Sequence, residues 1–164
     1  MKELISEITI KNNSFVDDNI NSRDINNALK LAQNIDLKRL VSNKLYSQMM
    51  LEPVTDADLA MFISDYLPDL VEWYTVSKLI DIKAMKITAR GNSKSENDSN
   101  IAAELSDIRR TISVVNGYAA SFEKQALKYI DDNPAIFDKY YDSDEYNGLD
   151  NVPTKAIFDR RLLK

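Results

Sequence analysis

Apolar residues recur every three or four positions along much of this chain, most regularly between residues 101 and 129. There Ile101, Leu105, Ile108, Ile112, Val115, Ala119, Phe122, Ala126 and Tyr129 are separated by alternating steps of four and three. A seam of period 3.5 predicts a helix over about 100–132, packed as in a bundle or a coiled coil. An intramolecular bundle is the commoner origin of such a seam. The helix should stop at "DNP", residues 132–134. Gly117 falls inside it at a cost of ~1 kcal/mol relative to alanine, and a close helix crossing is one explanation.

A second long helix is predicted over about 68–90. Pro68 suits its first turn, and Gly91 stands where a helix commonly stops. Its apolar residues are Leu70, Val71, Trp73, Tyr74, Val76, Leu79, Ile80, Ile82, Met85 and Ile87. They cover much more than one stripe, so the helix must be buried nearly all round. That placement is either the centre of the domain or a subunit contact. The two helices form an antiparallel pair, and the stretch between them, Gly91 to Asn100, contains no apolar residue. About ten residues is more than a reversal between helices needs.

Shorter helices precede the pair. Asp24 or Ser22 caps one that carries Ile25, Ala28, Leu29 and Ala32. "NID" interrupts it, with Asp36 as a new cap before Leu37, Leu40, Val41, Leu45 and Met49. This reads as two short helices or one bent one. Thr55 with Asp58 resembles a capping box for a helix that stops before Pro68. "SEITIKNN", near the start, alternates weakly, as a short strand or an extended arm would. The expected architecture is all-α. It has an N-terminal arm (1–21), a helical bundle (22–150) with the two long helices at its centre, and a C-terminal arm (151–164).

Composition narrows the function. The chain of 164 residues has three glycines and four prolines, which favours helices over a turn-rich sandwich. A single core of this size needs no staples. With no cysteine and no histidine, it has no disulfides, thiolate or imidazole metal ligands, or Ser–His and Cys–His nucleophiles. No catalytic residue, cofactor or metal site is expected. A net charge of −5 argues against gripping nucleic acid by charge. "MKELISEITI" does not read as a secretory signal, and no apolar run is long enough to span a membrane.

Other local patterns are weak. "DSDEYNGLD" (142–150) fits an EF-hand loop in neither register, since glycine and the final glutamate fall out of place. The pairs Asp17/Asp18 and Asp131/Asp132 read as turn and helix-end chemistry rather than as catalytic carboxylates. Trp73 and Tyr74 are expected in core or interface packing. Residues 131–150 hold seven acids and one base, whereas 151–164 hold four bases and one acid, with Ile157, Phe158, Leu162 and Leu163 among them. That arm is apolar and basic. It suits docking on a protein partner through those four residues with Arg160 and Arg161; a membrane contact and simple fraying are the other readings.

Three stretches carry a likeness to a known family. "ALKLAQNIDLKRLVSNKLYSQM", "LPDLVEWYTVSKLIDIKAMKITARGNSKSEN" and "NPAIFDKYYDS" occur in that order. Together they resemble the head–tail connector (adaptor, or head-completion) proteins of tailed bacteriophages, especially those of Bacteroidetes-type hosts. The likeness covers roughly residues 7 to 145. Asn43 stands where the family often has glycine, and the arm after Asn151 matches no family pattern.

The resemblance implies a non-enzymatic virion protein, made in the bacterial host cytoplasm. It would form a ring, usually dodecameric, at the capsid–tail junction, bind the portal protein and a downstream tail or stopper protein, and extend the DNA channel. DNA would pass without sequence recognition. The length of the polar loop suits projection towards a neighbouring subunit or the portal through Arg90, Asn92, Lys94 and Glu96, with a floppy loop that makes no contact as the rival. In a ring, helix 68–90 would lie between the seam helix and a neighbouring subunit, with Trp73 and Tyr74 towards that partner. The rival classes are a DNA-binding packaging ring, which needs a basic recognition helix, and a generic helical oligomerisation module. An enzyme with a carboxylate-only site needs inward-facing glutamates that the seam lacks.

Overall fold

The computed structural model describes residues 2–13, 15, 16, 19–91 and 98–141, with side chains up to Met85 and from Ser106 onward. Every regular element among the described residues is helical: α1 (Glu7–Lys11), α2 (Ser22–Leu31), α3 (Lys38–Leu40), α4 (Asn43–Met49), α5 (Ala57–Asp65), α6 (Leu67–Gly91), α7 (Asp98–Asp132) and α8 (Pro134–Phe137). A π-helical turn, Ala32–Leu37, joins α2 to α3, and a 3₁₀ turn, Asp138–Tyr140, follows α8. The all-α expectation therefore holds.

The seam of α7 faces its own chain. Ile108, Val115, Ala119 and Ala126 are buried, and Ile112, Phe122 and Tyr129 are half-buried. Pairings between Trp73 and Tyr118 and between Ser77 and Asn116, with Ile80 and Ile108 in one buried cluster, set α6 and α7 antiparallel. Ile101 and Leu105 lie outside the described side chains.

Helix α6 takes the central of its two possible places. Leu67, Leu70, Val71, Tyr74, Thr75, Val76, Leu79 and Ile80 are all buried by the same chain, with α2 and α7 as the main neighbours and α1 and α5 also in contact. The expectation that this helix lies between the seam and another subunit is thus corrected for residues 67–80. Among the described side chains of α6, the large apolar one mostly in solvent is Met85, 65% exposed.

The caps differ by a residue or two from those expected. Asn21 caps α2 by accepting from Arg23 N–H, ahead of both Ser22 and Asp24. Asp56, not Thr55, caps α5, accepting from the N–H groups of Asp58 and Leu59. Asp36 caps nothing. The "NID" break is instead absorbed by the π turn, so α2 runs on, widened, to Leu40. Val41 is then extended, and Ser42 caps α4. Asp98, Ser99 and Asn100 are helical, which shortens the expected polar loop at its far end. The loop's remainder, with Asn92, Lys94 and Glu96, lies outside the described residues, as does the side chain of Arg90.

Near the start of the chain, the described residues pack against the bundle. Ser6 caps α1, and Ile5 and Ile10 are buried. The fully buried Gln33 donates from Nε2 to the Lys2 carbonyl (3.0 Å) and accepts the Leu4 N–H on Oε1 (3.1 Å). A buried side-chain amide with both ends satisfied stabilises the segment, since either half left unpaired costs about 1–3 kcal/mol.

At the opposite end, Asp56 ties the chain after α7 to the start of α5. Its carboxylate pairs with Lys139 and accepts the Tyr140 hydroxyl at 2.7 Å. Hydrogen bonds from Lys139, then Tyr140, then the Leu59 N–H hold this carboxyl well below the usual carboxylate range. A depressed folded-state value means the contribution is complete above the unfolded value of about 4 and is lost as pH falls below it. Asp56→Ala should cost about 1–2 kcal/mol at pH 7 from the lost cap alone. In urea titrations, its deficit relative to the parent should shrink steadily as pH is lowered from about 4.

Candidate interaction surface

An aromatic face lies at one edge of the contact between the two long helices. Trp73 projects from α6 and Tyr118 from α7, with ring centroids 4.6 Å apart. Phe15 closes the group, 5.7 Å from Trp73 in an edge-on arrangement and 6.3 Å from Tyr118. Such pairs prefer offset or edge-to-face geometry and contribute about 0.5–1.5 kcal/mol each beyond area burial. Trp73 is half-buried, but Phe15 is 39%, Val114 43% and Tyr118 45% exposed.

The loop after α1 brings Phe15 there. Asn13 is almost fully buried. Its Nδ2 donates to Glu72 Oε1 at 2.7 Å, and its Oδ1 accepts the Phe15 N–H at 3.0 Å. One side chain thus fixes the loop to α6 beside Trp73.

Gly117 lies on the same face of α7, one turn from Val114 and next to Tyr118. A Cβ built on it meets nothing within 4 Å. The close helix crossing expected at this glycine is therefore absent within the described chain, and the space opposite it is open. Gly117→Ala should stabilise the isolated subunit by about 0.5–1 kcal/mol. If a second molecule packs flush on this face, the same change should weaken that contact. Chemical denaturation and an association measurement on one variant read both effects.

Tyr74, one residue from Trp73, points the other way. It is buried, and its hydroxyl donates to Glu123 Oε2 at 2.6 Å. Burial, and then Glu123, push the phenol above the usual tyrosine range. Tyr74 therefore offers no surface to a partner, whereas Trp73 offers part of its ring. The arm residues Ile157, Phe158, Arg160, Arg161, Leu162 and Leu163 lie outside the described residues, as does the 142–150 loop. Phe15, Val114 and Tyr118 were not singled out by sequence. Val114 and Tyr118 are four apart, off the seam and flank a helix-interior glycine; that spacing was the available signal. Phe15 gave none, because its place depends on the distant Asn13–Glu72 bond.

Among the described residues, no group of three or more carboxylates is placed to hold a metal ion, and no helix is long and apolar enough to cross a membrane.

Residues 18–148 match a family described as "Family of unknown function (DUF6712)". The chain belongs to the DUF6712 family. The matched span of this DUF6712 protein takes in α2 through α8, and so Trp73, Val114, Gly117 and Tyr118; Phe15 and the C-terminal arm lie outside it. Comparison with curated proteins and with solved structures found no match.

Proposed function

We propose that this DUF6712 protein is a structural assembly subunit, and that its assembly is a ring joining a phage portal to the tail. The observation that carries assembly is the Phe15–Trp73–Tyr118 face with the open notch at Gly117. Aromatic residues that a monomer leaves partly in water, clustered beside a glycine where an added Cβ would face open space, suit a flush protein contact. The ordered likeness of residues 28–49, 67–97 and 133–143 to connector proteins supplies the particular assembly. The net charge of −5 agrees with a channel wall past which DNA slides, because few phosphates would be held by cations.

In this reading the protein is not an enzyme and needs no cofactor. Copies meet through the α7 face, the polar connection between α6 and α7 reaches a neighbour or the portal, and the downstream partner is a tail or stopper protein. Cryo-electron microscopy of the virion tests the placement. Helical hairpins fitting α6 and α7, arranged in a closed ring below the portal, are the expected result. A resolved portal vertex without this chain would overturn it.

A further inference from the structure

A cleft of about 330 Å³ opens between the π turn, α6 and α7, on other side chains than those of the aromatic face. Its charged lining is Asp36, Asp81 and Glu123 against Arg39 and Lys78. The carboxylates outnumber the cations by three to two. Arg39 is 52% exposed and reaches Glu123 at only 3.5 Å. Lys78 Nζ pairs with Asp36 Oδ2 at 3.1 Å. π turns are frequent at functional sites.

We propose that the C-terminal arm of the same chain, residues 151–164, docks at this cleft, with Arg160 and Arg161 meeting Glu123 and Asp81. Charge is the first argument. The arm carries four bases and one acid, opposite in sign to the cleft, and a guanidinium fork matches carboxylates better than any other side chain. Position is the second. Ser42 Oγ donates to the Tyr140 carbonyl at 2.7 Å, so the chain beyond Tyr141 departs from the α3–α4 junction. Ser42 is three residues from Arg39 on the cleft wall, on the order of 10 Å along the backbone. Eighteen residues, 142–159, separate Tyr141 from Arg160, enough chain length to cover that distance, and a same-chain connection raises the effective concentration. The same-chain cleft is therefore favoured over that of another copy. This inference stands whether or not the protein forms a ring.

The absence of native cysteine makes the test clean. Ala120→Cys on the exposed cleft rim and Leu162→Cys on the arm, in one full-length chain, should form an intramolecular disulfide under mild oxidation. Asp81→Lys, or Glu123→Lys as a second variant, should slow it by about tenfold. Pairing either with Arg160→Glu and Arg161→Glu should restore most of the rate, and high salt should lower the parent rate. Equal rates in parent and charge variants would overturn the docking. Cross-links that form only between mixed single-cysteine chains would put the arm on a second copy and overturn the same-chain assignment.

Discussion

Phe62→Ala should destabilise the subunit by about 3–5 kcal/mol, the range for deleting a fully buried aromatic ring. Phe62 has no exposed surface. It stacks on Tyr66 at 5.8 Å and on Tyr129 at 5.7 Å, and takes Phe137 edge-on at 5.2 Å. One ring thus joins α5, the Tyr66 link to α6, the end of α7 and α8. Those elements come from distant parts of the chain, so the void cannot be closed by moving one of them. For a domain whose total stability is about 5–15 kcal/mol, the variant should show a much lower urea midpoint or no cooperative transition. Met61→Ala, one residue away but 45% exposed, should stay within about 0.5 kcal/mol. Comparable midpoints for the two variants would mean that the aromatic cluster does not close the base of the bundle.

The second large effect concerns association. Val114→Asp combined with Tyr118→Asp should leave a folded helical subunit, since both positions are over two-fifths exposed. It should nevertheless weaken self-association by about 30- to 1,000-fold, the range for losing a central aromatic contact worth about 2–4 kcal/mol. Loss of the Tyr118–Trp73 stack would cost the monomer about 0.5–1.5 kcal/mol. Circular dichroism and sedimentation equilibrium on one preparation separate the two effects. Unchanged association in a folded variant would remove the α7 face from the interface.

The long elements were legible because their information is local. The 3.5-residue seam from Ile108 to Tyr129, Pro68 and "DNP" fix α6 and α7 to within two residues at each end. Short elements were harder. In α1, Ile8, Thr9 and Ile10 have strand-like chemistry, and only Ser6 as cap with Ile10 as anchor makes them helical. Thr55 and Asp56 are both good caps, and the one chosen is the one that also receives Lys139 and Tyr140 from more than eighty residues away. The π turn left no mark in the pattern, since "NID" reads equally well as a break. Which side of α6 would be covered was also beyond periodicity. An apolar helix at the centre and one at a contact share the same sequence, and the packing of α2 on α6 decides between them.

The candidate surface was half legible. Trp73 was named for its chemistry, but Tyr74 beside it turned inward, because 100° of helical rotation carries it to Glu123. Phe15 needed the Asn13 bridge, a contact spanning fifty-nine positions. Val114 and Tyr118 lie off the seam, where periodicity alone does not separate a solvated position from a contact face.

The claim on which the reading rests is that one copy is incomplete without others. Native mass measurement of the full-length protein, alone across micromolar concentrations and then mixed with the portal protein that the proposed ring would join, addresses it directly. A closed oligomer of uniform subunit number, formed alone or on the portal and lost in the Val114→Asp, Tyr118→Asp variant, is the predicted result. A monomer at every concentration, unchanged by portal, would contradict the account.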